Sequence, residues 1–153
     1  MTFSQKKKHS KQPLKLTRED ISYHVLTMYL NGERFIIQPR FKKRTSEELP
    51  DCLVCGEHYY GFVFEAKGFV NRFILRMSSD TAMNCADKHS LRCATMGNGD
   101  NWYELDVDGS FKEKEEIYRL LDLCYDFTLK ECYVKKIAAD DAEANTRCAA
   151  TRT

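Results

Sequence analysis

At 153 residues, with 42% hydrophobic and 31% charged side chains, the chain holds enough apolar material for one well-cored domain and too little for two. No apolar stretch approaches the roughly 20 residues that span a bilayer, and the basic start MTFSQKKKHSKQ lacks the apolar run of a secretory signal, so a cytoplasmic protein is expected. The net charge of +1 conceals a split, because residues 1–50 carry 11 Lys and Arg against 5 Asp and Glu (net +6) and the remainder carry 13 against 18 (net −5). Seven cysteines in an odd, irregularly spaced set argue against a secreted disulfide framework and read as reduced thiols.

Residues 1–16 are rich in lysine and lack periodicity, which predicts a flexible basic arm. Thr17-Arg18-Glu19-Asp20 has the composition of a capped helix start. Ile21, Val25, Met28 and Tyr29 then recur at helical spacing until Asn31-Gly32 ends the segment. Glu33 to Phe41 reads as a strand whose Pro39, lacking a backbone donor, suits an edge or a strand end. Residues 45–58 lack clear periodicity and read as a loop or irregular crossing.

Tyr59 to Ala66 and Phe69 to Met77, joined by Lys67-Gly68, form a hairpin pattern. Phe62 and Phe64 share one face of its first strand. On the second strand Phe69, Asn71, Phe73 and Leu75 share one face, and Val70, Arg72, Ile74 and Arg76 the other. Ser78-Ser79-Asp80 offers N-cap chemistry for a short helix to about Lys88, with Met83 and Ala86 turned inward. A brief strand follows over Leu91 to Met96, then the turn Gly97-Asn98-Gly99-Asp100.

From Asn101 the alternation is clean: Tyr103, Leu105 and Val107 face a core while Trp102, Glu104, Asp106 and Asp108 face away. Asp108-Gly109 is a turn, and Ser110 with Glu113 has the S-x-x-E spacing of a capping box, placing a helix start near Phe111. Ile117, Leu120, Leu121, Cys124 and Thr128, flanked by Tyr125, make its apolar stripe, and the helix is expected to reach about Ile137. Residues 138–153 lose that stripe and read as a disordered tail, leaving residues 17–137 as a single domain. The fold class is α+β: an antiparallel sheet of about four to five strands with an N-terminal and a long C-terminal helix packed on it.

The strand ending W-Y-x-L-D-x-D-G and the helix of I-Y-x-L-L-D-x-x-Y-D type resemble the MmcQ/YjbR-like family. The resemblance is carried by Trp102, Leu105, Asp106, Asp108, Gly109, Leu120, Leu121 and Tyr125 and spans roughly residues 17–130. It implies a YjbR-like fold and a DNA-binding role through a double-wing motif, and no shared enzymatic reaction. The chain departs from the pattern at Asn101, where a basic residue or His is expected, and in its extended ends.

The candidate nucleic-acid contacts are Arg40, Lys42, Lys43 and Arg44, with Arg72 and Arg76 two strand steps apart on one face. Such cations neutralise phosphates, and aromatics such as Phe41 can stack on unpaired bases. The competing reading is a solvated loop beside a sheet face with cross-strand ion pairs. An acidic protein is the alternative partner, and no membrane partner is expected. Cys52 and Cys55 form a C-x-x-C, but Cys85, His89 and Cys93 lack the spacing of a second zinc pair, so isolated thiols compete with a metal site. Trp102 reads as a packing residue or as the wall of a small-molecule site near Cys52 and Cys55. Glu104, Asp106 and Asp108 on its face read as an acidic strand face or as a site for a cation or acid–base chemistry. With no Gly-rich phosphate loop and no nucleophile elbow, no cofactor and no catalytic residue is assigned. A non-enzymatic binding or adaptor module leads, and a protein-interaction module using an aromatic sheet face is a further alternative.

Overall fold

The computed structural model describes residues 14–30, 37–94 and 101–134. In chain order these form helix α1 (Arg18–Leu30), strands β1 (Pro39–Lys42), β2 (Asp51–Cys55), β3 (His58–Ala66) and β4 (Phe69–Arg76), and helix α2 (Ser79–Ala86). Strands β5 (Leu91–Cys93) and β6 (Trp102–Asp106) and helix α3 (Lys114–Leu129) follow, with a π-helical turn over Lys130–Val134. The six strands make one antiparallel sheet in the order β1-β2-β3-β4-β6-β5. The architecture is α+β, with N- and C-terminal helices packed on the sheet and one strand more than expected.

Local chemistry sets the junctions. Thr17 and Asp20 cap α1 reciprocally, the Asp20 N–H donating to Thr17 Oγ1 at 3.1 Å and the Thr17 N–H to Asp20 Oδ2 at 3.0 Å. Ser78 caps α2 by accepting the Thr81 N–H at 3.1 Å. The β3–β4 hairpin turns at Lys67 and Gly68, whose φ angles of 55° and 87° give the two-residue turn that matches strand twist. The β2–β3 turn is fixed from outside: the Tyr133 hydroxyl donates to the Cys55 carbonyl and accepts the Glu57 N–H.

The core lies between the sheet and all three described helices. Leu53, Val63, Phe73, Leu75 and Leu105 from the strands meet Ile21 and Val25 of α1, Ala82 and Cys85 of α2, and Ile117, Leu121, Cys124 and Tyr125 of α3. Each of the larger side chains so buried contributes about 1.5–3 kcal/mol. The opposite face of the sheet meets described helical residues at the Arg76 corner, where Phe127 of α3 and Cys132 of the π-helical turn approach. One charged group crosses the core margin: Asp51 is fully buried and accepts the Arg18 Nε and Nη2 at 2.5 and 2.7 Å and the Arg44 N–H at 2.8 Å. Burial alone would raise the Asp51 pKa, but these donors reverse that push and hold it below the usual carboxylate value.

Five expectations need correction. Residues 51–55 are strand β2 rather than loop; its alternation is hidden because Leu53, Val54 and Cys55 are all buried and Asp51 is paired internally. In β4, Val70 is buried and Phe69 exposed, because a register shift opposite Phe64/Glu65 makes Asn71 an extra residue and reverses the faces at the strand's start. Helix α2 turns Ala82 and Cys85 inward, leaving Met83 and Ala86 exposed. Helix α3 starts at Lys114, not Phe111: the box is closed by Glu113 and Glu116, and Ser110 folds back onto Asp108. Leu16, placed in the flexible arm, is fully buried, and its carbonyl accepts the Val70 N–H at 2.7 Å. The rest of the arm up to Pro13, most of the Glu33–Phe41 strand start, the Gly97–Asp100 turn and the 138–153 tail lie outside the described residues. Among the described residues, no helix is long and apolar enough to cross a membrane.

Candidate functional site

The face opposite the core is built by strand parity. Registers place Lys42, Cys52, Phe62, Ile74, Glu104 and Arg92 in one row across all six strands. A second row holds Phe64, Arg72 and Asp106, and a third holds Arg40, Val54 and Tyr59 with the Arg76–Trp102 pair one strand further on. A bulge in β3 at Tyr60 lets that ring enter the core, where it meets Tyr125 edge-on, while Tyr59 stays outside.

Three aromatic rings then line up on this face. Tyr59 and Phe62 lie 5.5 Å apart, and Phe62 and Trp102 5.6 Å apart, centroid to centroid and tilted by 39° and 35°. Tyr59 is exposed, and Phe62 and Trp102 are half-buried. Their apolar setting is Val54 and Ile74, so the ladder has a firm floor and an open top.

Charge is distributed unevenly around the rings. Toward the β5 edge, Arg92 bonds Glu104 and Asp106 at 2.8 Å each, while Arg72 bonds Glu104 at 3.0 Å and lies 4.0 Å over the Phe64 ring. Hydrogen bonds from Arg72 and Arg92 lower the Glu104 pKa, and those from Arg92 lower that of Asp106. Of the three carboxylates that the sequence offered as a cation site, Glu104 and Asp106 are therefore occupied by arginines, while Asp108 accepts the Ser110 N–H and hydroxyl. Arg40, Lys42 and Arg76 have no carboxylate partner among the described residues. Arg76 donates to Cys132 Sγ, sits 5.7 Å from the Phe127 ring centre and leaves its buried Nε unbonded. Five cations against two carboxylates give this face a net charge of +3, in a chain whose total is +1.

The six nominated cations divide between locations. Arg40, Lys42, Arg72 and Arg76 share the open face, with Arg72 neutralised. Lys43 turns to the other side, lining a groove of about 290 Å³ with Arg18, Tyr23 and Phe41. Arg44 is tied to Glu65 at 3.1 Å. The two cysteines of the C-x-x-C project to opposite faces of β2, Cys52 outward and Cys55 into the core, so they cannot hold one metal ion together. Burial pushes the Cys55 thiol up to about 11. Trp102 on β6 stands three strands from Cys52, about 14 Å at normal strand spacing, and neither of the two described cavities includes Cys52, Cys55 or Trp102.

Sequence reasoning missed Tyr59 and Phe62 as partners of Trp102, since that contact depends on β6 returning beside β4 after an excursion through α2 and β5. It also missed Arg92, whose role appears only in the β5–β6 register. No protein-family model matches the chain, and no curated protein is significantly similar to it.

Proposed function

We propose that the protein is a non-enzymatic binding module of MmcQ/YjbR-like type that takes single-stranded nucleic acid on the face of its sheet opposite the core. The observation that carries this reading is the Tyr59–Phe62–Trp102 ladder on a face with net charge +3. Aromatic rings on a firm floor accept unpaired bases, each stacked base being worth about 1–3 kcal/mol. Arg40 and Lys42 are the cations available to phosphates, because Arg72 and Arg92 already serve Glu104 and Asp106 and Arg76 is turned onto Cys132 and Phe127. A duplex offers no exposed base face to such a ladder, so the reading favours single strands. Leu105, Leu120, Leu121 and Tyr125, which carry much of the family resemblance, are all buried, in keeping with a likeness of fold.

The test is fluorescence anisotropy with a labelled oligonucleotide as single strand and as duplex over a salt series. Two phosphate contacts give a log–log salt slope of about −1.4, from roughly −0.7 per contact on a single strand. Binding should prefer the single strand and weaken when Arg40 and Lys42 are replaced together by Gln. A polyglutamate peptide that competes as well as the oligonucleotide would instead make the face a dock for acidic protein, and salt-independent binding would remove the phosphate contacts from the account.

A further inference from the structure

A second site lies on the helical side of the molecule, in a cavity of about 230 Å³ between α2 and α3. This is smaller than the roughly 300–1,000 Å³ of sites for drug-sized ligands. His89, mostly buried and stacked on Phe111 at 3.7 Å between ring centres, forms part of its wall with Glu116.

The protons around His89 can be assigned from its neighbours. Ser110 Oγ lies within hydrogen-bond distance of both the Asp108 carboxylate and, at 2.7 Å, His89 Nδ1. The hydroxyl has one proton, and a carboxylate only accepts. The hydroxyl therefore donates to Asp108, and His89 Nδ1–H donates to Ser110 Oγ. This leaves His89 Nε2 as a lone-pair acceptor. It stands 4.0 Å from Glu116 Oε2. Glu116 Oε1 is engaged by the Lys112 and Glu113 amides at 2.8 and 3.0 Å, but Oε2 has no donor among the described residues. Two acceptors thus face one gap with no proton between them. Burial lowers the His89 pKa and outweighs the opposing pull of Glu116, which keeps the imidazole neutral.

Cations flank these two acceptors: Arg119 follows Glu116 by one helical turn, Lys88 precedes His89, and their charges act on the two groups. Lys88 and Arg119 are exposed, line the cavity, and form no ion pair among the described residues. Leu120 and Leu123 add apolar surface to the same lining. A cavity that sets acceptors and cations side by side, with apolar side chains in the same lining, is complementary to a small zwitterion whose opposite charges are adjacent.

We infer that this cavity binds a free α-amino acid with an apolar side chain. Its ammonium group bridges Glu116 Oε2 and His89 Nε2, its carboxylate meets Arg119 and Lys88, and its side chain lies on Leu120 and Leu123. Ser110 and Asp108 are positioning residues that fix the imidazole's tautomer.

Calorimetric titration of the intact chain with L-leucine, isoamylamine and 4-methylpentanoate separates the contributions of the ligand's two charges. The amino acid should bind, and each half-molecule should bind at least tenfold more weakly. Glu116→Gln keeps the acceptor for the Lys112 and Glu113 amides but removes the charge, and should weaken leucine binding roughly 10- to 100-fold. Lys88→Ala with Arg119→Ala should weaken it roughly fivefold. Leu123→Trp, made at a half-exposed rim position so that folding is unaffected, should block the cavity and abolish binding. Amide NMR shifts induced by leucine should centre on Asn84, His89 and Arg119. Absence of binding at millimolar concentrations, or binding of the amine or the acid alone as tight as leucine, overturns the proposal.

Discussion

Replacing Arg18 with Ala strands a buried charge, and the expected cost follows from the geometry. Asp51 has no exposed surface; its side-chain donors are both from Arg18, at 2.5 and 2.7 Å, and only the Arg44 N–H would remain. Breaking a buried pair by removing one partner costs about 3–5 kcal/mol. Since the Arg18 side chain is 22% exposed, the lower end applies, and about 3 kcal/mol in a chain of this length lowers Tm by roughly 6–12 °C. The sign of the pH dependence is fixed as well. The folded Asp51 pKa is depressed, so its stabilisation is complete above the unfolded value of about 3.9 and is lost as pH falls through the folded value. In Arg18→Ala the upward push of burial loses its main opponent, and Asp51 protonates at a higher pH. The stability gap between the two proteins should therefore be widest near neutrality and narrow in acid. Urea unfolding followed by far-ultraviolet circular dichroism measures this gap at each pH, with an unchanged m-value as the control. A gap below about 1 kcal/mol, or one that stays constant into acid, would refute the reasoning.

Two further outcomes test the packing. Gly61 faces the core, where an added Cβ would lie 2.7 Å from Leu53 Cδ1 and 2.8 Å from Leu75 Cδ2; Gly61→Ala should cost about 1–3 kcal/mol in a thermal melt, and a neutral substitution would show that the β2–β3–β4 registers are looser than described. Burial pushes the Cys55 and Cys85 thiols up to about 11 and that of Cys124 well above its usual value. Alkylation at about pH 8 followed by peptide mapping should then label exposed Cys93 in the native state but reach those three only in denaturant.

How far the sequence discloses this molecule depends on whether a residue's partners are local. The α1 cap is legible because Thr17 and Asp20 satisfy each other within one turn, and the α3 stripe because Ile117, Leu120, Leu121, Cys124 and Thr128 repeat on one side of one helix. The β3–β4 hairpin is legible through Lys67-Gly68. Strand β2 is obscured because the carboxylate in its first position is matched by Arg18, 33 residues away. The displaced start of α3 is of the same kind: two S/E-x-x-E frames compete, and His89, 21 residues upstream of Ser110, engages the serine of the first. Of the candidate site, the cations of β1 and β4 can be named from alternation. Which of them are free cannot, since that is decided by Glu104 and Asp106 returning on β6. The ring ladder depends on the same register, and so does the separation of Cys52 from Cys55 by strand parity once β2 is known to be a strand.

The most direct measurement of the nucleic-acid reading is the intrinsic fluorescence of Trp102, the chain's single tryptophan and the end of the ring ladder. Titration with a single-stranded oligonucleotide should quench it saturably, with an apparent affinity that falls as salt rises. Trp102→Ala should weaken binding measured by anisotropy roughly 5- to 150-fold, as expected for loss of about 1–3 kcal/mol of stacking. Unquenched fluorescence at saturating oligonucleotide, or undiminished binding by Trp102→Ala, would contradict the assignment of this face.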